Sequence, residues 1–166
     1  VQGRLDDIVK DNMYKIDLNT KMATSLNDVQ RMIRTLMLVK DPAAQAAQRQ
    51  SIDKARASYN EAFEELSKTS ASEKGKAIRA KIKEAALLTR PLNDKVVELG
   101  TSGKTEEAIA VLLSEARPAA AKWQAAVDEN IVLQEQNTKD DYAAATADYA
   151  AANRLMLTLA AVAIGL

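Results

Sequence analysis

The chain contains neither cysteine nor histidine. Their absence excludes a thiolate nucleophile, a Ser-His-Asp triad, a zinc site of the usual ligands and haem ligation by histidine. Missing cysteine also fits an oxidising compartment such as the periplasm, where a stray thiol is a liability. Glycine and proline number only five and three in 166 residues, and aromatics make up 4%. Neither sign of charge dominates, with 23 acidic and 23 basic residues. No stripe of basic residues interleaved with aromatics appears either, so nucleic acid is not expected as a partner. Carboxylates are plentiful but lie spread along helical faces without a base or metal partner, which argues against an enzyme and against a cofactor.

What remains is the composition of long helices, dominated by alanine, glutamate, lysine, leucine and glutamine. The few breakers are well placed. Asp41-Pro42 reads as an N-cap followed by proline at the first helical position. Ser70-Ala71-Ser72-Glu73 has capping-box spacing, with Ser70 and Glu73 as reciprocal partners. Gly100-Thr101-Ser102-Gly103 supplies a left-handed C-cap and a tight turn. Lys104 or Thr105 then opens a helix with Glu106 and Glu107 near its positive end. These signals predict helices over 3–40, 42–69, 72–99 and 104–164, and no stretch alternates like a strand. Leu5, Val9, Ile16, Ala23, Leu26, Ile33 and Met37 form one seam, interrupted by Asn12, Asn19 and Gln30. Ile109, Leu113, Ala116, Ala120, Trp123 and Val127 form another, with Trp123 as core filler. Such spacing with short connections predicts an all-α, up-down-up-down antiparallel four-helix bundle with extended first and fourth helices.

The last twelve or so residues, Leu155–Leu166, carry no charge, yet a bilayer needs about 20. We read 155–166 as the start of a transmembrane helix that continues past Leu166, and 1–154 as the domain outside the membrane. The alternative is a C-terminal helix docked into its own core. The chain begins at Val1 rather than methionine, so it is expected to be a segment of a longer protein. Aligning the helices at the Asp41 and Gly100–Lys104 turns leaves the first and fourth protruding at the greasy end. The bundle is therefore expected to stand upright on a membrane. The alanine-rich stretch from Tyr142 to Asn153 suits close helix approach.

Counting from the distal turns at 1.5 Å per residue puts Arg31, Arg56, Arg90 and Arg117, one on each helix, within a band about 6 Å high. Arg34 sits one turn above Arg31 and Tyr59 one turn below Arg56. Thr35, Thr89 and Ser114 add small hydroxyls. A ring of planar bidentate donors suits a small multi-carboxylate anion such as malate or citrate. The candidate ligand-binding residues are therefore Arg31, Arg34, Arg56, Tyr59, Thr89, Arg90 and Arg117. Asp28 is placed to serve Arg31 and Asp94 to serve Arg90. Pro91 and Pro118 each remove a backbone hydrogen bond, at the carbonyls of Leu87 and Ser114, and are expected to kink their helices.

The chain resembles the four-helix-bundle sensor domain of bacterial methyl-accepting chemotaxis proteins. The likeness rests on the helix-length pattern, the apolar tail, the segment Asp28-Val29-Gln30-Arg31-Met32-Ile33-Arg34, and the pairs Arg90-Pro91 and Arg117-Pro118. It implies a periplasmic, membrane-anchored homodimer in the bacterial inner membrane. One transmembrane helix would precede Val1 and another would lead past Leu166 to a cytoplasmic half that meets the signalling partners. In the related aspartate and serine receptors, first-helix arginines bind ligand across the dimer interface, which favours Arg31 and Arg34 by position. Two other readings are the sensor of a histidine kinase and a structural bundle that binds only protein.

Overall fold

Proline at a first helical turn and serine, aspartate or glycine at the ends divide the chain into four rods. In this computed structural model they are α1 (Gln2–Leu38), α2 (Pro42–Lys68), α3 (Glu73–Thr101) and a fourth rod of three pieces. Those pieces are α4 (Thr105–Val111), a π-helical turn (Leu112–Ala116) and α5 (Arg117–Ile164), running end to end. The structure describes the backbone of residues 2–164 and the side chains of 8–160. The fold is an all-α four-helix bundle, as the spacing predicted.

The caps show why the rods end where they do. Asp41 accepts from the Ala44 N–H at 2.8 Å and Pro42 opens α2. At the next turn the cap is Ser72, which accepts from the Gly75 N–H at 3.2 Å. Ser70, the expected cap, instead accepts from Lys15 Nζ at 3.3 Å, and its carbonyl accepts from Arg79. Arg79 also donates to the Thr69 carbonyl and hydroxyl, so one guanidinium straps the turn. At the end of α3 the left-handed residue of that segment is Gly103 (φ 77°). The Lys104 N–H then reaches the Leu99 carbonyl, the long bond of a Schellman cap. Gly100 is buried, and a Cβ there would sit 3.6 Å from Leu36, which marks a close approach of α1 and α3.

α1 packs along α2 and α5, and α3 packs on α4, the π turn and α5. α2 and α3, though consecutive, stand apart. The core falls into two apolar clusters. The distal one joins Val29, Ile33, Leu36, Ile52, Val96 and Leu112. The other gathers Leu18, Met22, Leu66, Ile82, Trp123 and Val127, among others. The α1 seam is rotated from the predicted one. Leu26 and Ile33 are buried, but Val9, Ile16, Ala23 and Met37 are half-buried, and Leu18, Met22, Val29 and Leu36 complete the core. Leu5 lies outside the described side chains. Asn12 and Asn19 are buried members of the interface rather than interruptions.

In the fourth rod Ile109 and Leu113 are exposed, while Ala108 and Leu112 face inward. The π turn explains the displacement. Pro118 has no N–H, and its ring would strike the Ser114 carbonyl in a regular helix. The chain widens instead, and the Arg117 N–H bonds to the Leu112 carbonyl five residues back. One residue of extra winding rotates the seam above it relative to that below. Pro91 is held inside α3 without interrupting it.

The Lys15–Ser70 bond sets the α2–α3 turn level with Lys15, and Gly75 sets it near Leu133. α1 and α5 therefore continue past that turn together, joined by Asn12 Nδ2 donating to Asp141 Oδ2 at 2.8 Å. Beyond it α5 is largely exposed, including Tyr142, Tyr149, Leu155, Met156, Leu157 and Leu159. Among the described residues no helix is long and apolar enough to cross a membrane. The last residues of the apolar tail, 161–166, lie outside the described side chains.

The two candidate caps can be told apart in solution. Ser72→Ala should cost about 1 kcal/mol in urea unfolding, the usual loss for an N-cap, and Ser70→Ala clearly less. Equal losses would mean that both serines cap α3.

Candidate functional site

Helical height and helical face are separate coordinates, and the candidate residues share the first more closely than the second. Arg56 on α2 and Arg90 on α3 come to the seam where those helices stand apart. Arg56 Nη2 donates to Asp94 Oδ1 at 2.6 Å, and Arg90 donates to Asn60 Oδ1. Both bonds span from α2 to α3. Asp94, expected beside Arg90, therefore serves Arg56. Arg31 is exposed and pairs with Asp28 on its own helix at 2.9 Å, as its spacing predicted. Arg34 and Arg117 are exposed and form no ion pair among the described residues.

Beneath the two seam arginines lies an aromatic pair. Trp123 Nε1 donates to the Tyr59 hydroxyl at 2.8 Å, and the rings meet edge to face with centroids 4.9 Å apart. The Arg90 guanidinium sits 5.7 Å from the Tyr59 centroid and 5.6 Å from that of Trp123. A cation over two ring faces gains electrostatic attraction from both. Trp123 is core, as expected, but it also orients Tyr59 and carries Arg90. Burial pushes the Tyr59 hydroxyl up to about 12, with the Trp123 hydrogen bond and the Arg90 charge pulling the other way.

Arg56, Tyr59, Arg90 and Trp123 share a small cavity with Ser25 and Asn93. Its open volume is about 10 Å³, room for one water at most. Gln30 closes one side by donating to Asn93 Oδ1 at 3.3 Å. Thr89 is fully buried, and its hydroxyl donates to the Ala85 carbonyl at 2.7 Å. So three of the seven candidates, Arg56, Tyr59 and Arg90, converge within one subunit. Thr89 is committed to its own helix, and Arg31, Arg34 and Arg117 lie on outer faces. An inward ring of four guanidiniums does not form in the single chain.

Outside the Arg56–Asp94 pair the α2–α3 seam widens into a groove of about 450 Å³ whose lining includes Arg49, Asp53, Arg56, Asp94 and Glu98. Arg49 and Asp53 were not among the sequence candidates. Their spacing with Arg56, at i, i+4 and i+7 on one face of α2, is the signal that would have found them.

A bundle of four helices has a counterpart among known families. A family described as a four helix bundle sensory module for signal transduction matches residues 1–149. The chain belongs to that family. Compared with curated proteins, it matches none. In this sensory module the apolar tail lies beyond the matched region, as does the last part of α5.

The shifted phenol gives the module a measurable alkaline limit. Between pH 10 and 12 the unfolded chain ionises Tyr59 while the folded chain keeps the proton. The unfolded state then binds fewer protons, so stability falls as pH rises through that window, by roughly 2–3 kcal/mol from this group. Below pH 10 the contribution is whole. Ultraviolet titration of tyrosinate should show one late-ionising phenol that disappears in Tyr59→Phe. An unchanged titration in that variant would assign the late step to another residue.

Proposed function

We propose that this sensory module is the ligand-binding domain of a chemoreceptor, standing outside the inner membrane and binding a small di- or tricarboxylate of the malate or citrate kind. The observation that carries the reading is the placement of the arginines. The interior at their level has room for one water only, and Arg56 and Arg90 are engaged by Asp94 and Asn60. The guanidiniums left for a ligand are the exposed ones, Arg34 and Arg117, with Arg31 held only by a solvent-exposed pair. They lie on α1 and the fourth rod, which pack against each other. A second copy laid along α1 would cover such a face and bring its own arginines, so the acid would bind between two subunits.

Several fixed cations at one height favour a ligand with more than one carboxylate, because each guanidinium can hold a carboxylate through two parallel bonds. The domain binds and does not catalyse. Signalling follows if the acid binds one arrangement of the rods more tightly than another. The fourth rod would carry that displacement along α5 to a membrane anchor that begins in the exposed Leu155–Leu159 stretch, and through it to a cytoplasmic half.

Calorimetry against malate and citrate tests this directly. Arg31→Ala and Arg34→Ala should each weaken binding by about tenfold to a hundredfold, the equivalent of roughly 1.5–3 kcal/mol for hydrogen bonds to charged groups. Arg56→Ala should act mainly on stability. Binding of neither acid by the parent, or identical binding by every arginine variant, would remove the organic-acid reading. In sedimentation, citrate should shift the chain from monomer toward dimer; monomer alone at high concentration with citrate present would argue against a site shared by two subunits.

A further inference from the structure

Ser25 and Asn93 are only 6% and 2% exposed, yet each keeps a polar group without a partner. Thr20, Ser51, Ser67 and Thr89 donate their hydroxyls to the carbonyl four residues back on their own helix. The Ser25 hydroxyl makes no such bond and no other among the described residues. Asn93 Oδ1 accepts from Gln30, but Nδ2 has no acceptor among the described residues. Neither atom is sealed in. Among the described residues Arg79 Nε is the one buried side-chain atom that is both unpartnered and cut off from open space, so the Ser25 hydroxyl and Asn93 Nδ2 both reach some. The space they line together is the cavity beside Arg56 and Arg90.

The free polar groups of that wall are donors above all. Asn93 Nδ2 has two hydrogens to give and the Ser25 hydroxyl one. A guanidinium carries five N–H donors, and Arg56 and Arg90 each commit one nitrogen across the seam, to Asp94 and to Asn60. The Tyr59 oxygen accepts from Trp123, and its own hydrogen meets no acceptor among the described residues. No carboxylate lines the cavity, and the rest of its wall is Leu26, Val29 and Trp123.

A water molecule suits such a space poorly, because its two hydrogens need acceptors and only hydroxyl lone pairs are there to take them. An anion has no hydrogen to place. Bonds from charged donors are the stronger kind, and buried guanidinium charge is costly unless an opposite charge offsets it. Size narrows the class. At about 10 Å³ the cavity takes a single water-sized occupant. That excludes carboxylates, nitrate and sulfate and leaves a monatomic halide.

We infer that the cavity is a halide site that takes chloride, held by the Ser25 hydroxyl of α1, by Arg56 of α2, and by Arg90 and the Asn93 amide of α3. The ion ties three rods together at the level where α2 and α3 stand apart. The site is independent of the organic-acid reading, which rests on Arg31, Arg34 and Arg117 and leaves Arg56 and Arg90 engaged across the seam.

Bromide is the probe, because a bound heavy halide quenches tryptophan emission and Trp123, the only tryptophan, lines the cavity. Sodium bromide is titrated into the whole chain against sodium gluconate at constant ionic strength. Quenching should saturate, chloride should reverse it, and gluconate should not. Ser25→Ala should weaken bromide about tenfold, the fold-change for one hydrogen bond to a charged group. Asn93→Asp keeps an acceptor for Gln30 but sets a carboxylate beside the two guanidiniums, and should abolish saturable quenching. Arg49→Gln removes a cation of the same seam that lies outside the cavity, and should leave the saturation unchanged. Helical circular dichroism separates lost binding from lost folding, and Ser25→Ala decides if Asn93→Asp does not fold. Linear quenching alone, saturation that chloride does not reverse, or parent-like affinity in Ser25→Ala would overturn the proposal and leave the cavity to water.

Discussion

The pairing of α1 with α5 rests on buried amides, and the rest of the bundle depends on that pairing. Asn130 Nδ2 donates to Asn19 Oδ1 at 2.9 Å, and Asn19 Nδ2 donates to the Lys15 carbonyl at 2.7 Å; both residues are fully buried. Gln134 joins at 3.5 Å, and Asn12 meets Asp141 further down. Leucine and valine layers tolerate a slide of one turn with modest loss, because apolar contact has no direction. An amide pair does not, since a slide strands each partner at about 1–3 kcal/mol. A buried asparagine fixes register for the same reason in coiled coils. Register between α1 and α5 sets the height of Trp123, and so decides that it meets Tyr59.

The polar seam follows from that height. Above it lies the cluster of Ile33, Leu36 and Val96, and below it that of Met22, Leu66 and Ile82. Between them Asn93, Gln30, Arg56 and Arg90 interrupt the apolar core, and here α2 and α3 are joined by hydrogen bonds rather than by packing. Such a joint is weaker than an apolar one of equal length. Surface ion pairs contribute about 0–1 kcal/mol, whereas a buried leucine contributes about 1.5–3. The α2–α3 edge is thus the least firmly closed side of the bundle, and the α1–α5 edge the most.

The rods themselves were legible in the sequence because capping is local. Asp41-Pro42 and the glycine-rich distal turn admit few other readings. Ser70 and Ser72 show the limit of local signals, since each is followed three residues on by a group it can bond. Arg79, nine residues further along, draws the Ser70 carbonyl and settles the choice. Heights along the rods were also legible, because 1.5 Å per residue accumulates little error. Faces were not, because at 100° per residue a single misassigned seam position turns a side chain from core to solvent. On α1 the seam runs through Val29 and Ile33, which leaves Arg31 and Arg34 outside. On the fourth rod, with the π turn at Leu112–Ala116, the seam of Trp123, Val127 and Ala116 continues upward through Leu112 and Ala108 rather than through Leu113 and Ile109. Of the candidate site, the seam pair of Arg56 and Arg90 was visible, while the partners that engage them depend on how far α2 stands from α3.

These unequal edges bear on how a bound molecule could move the rods. Moving a two-state equilibrium from 1:99 to 99:1 needs about 5.5 kcal/mol of differential affinity. Hydrogen bonds to charged groups contribute about 1.5–3 kcal/mol each, so two or three that form in only one arrangement are enough. Breaking the Asn19–Asn130 pair would consume much of that, because both amides would be stranded in the core. A rearrangement of low cost therefore keeps α1 and α5 in register and moves them together relative to α2 and α3, across the hydrogen-bonded seam. Within the fourth rod, the π turn is where the helix can absorb a one-residue change of winding without breaking, since its regular bonding is already interrupted by Pro118.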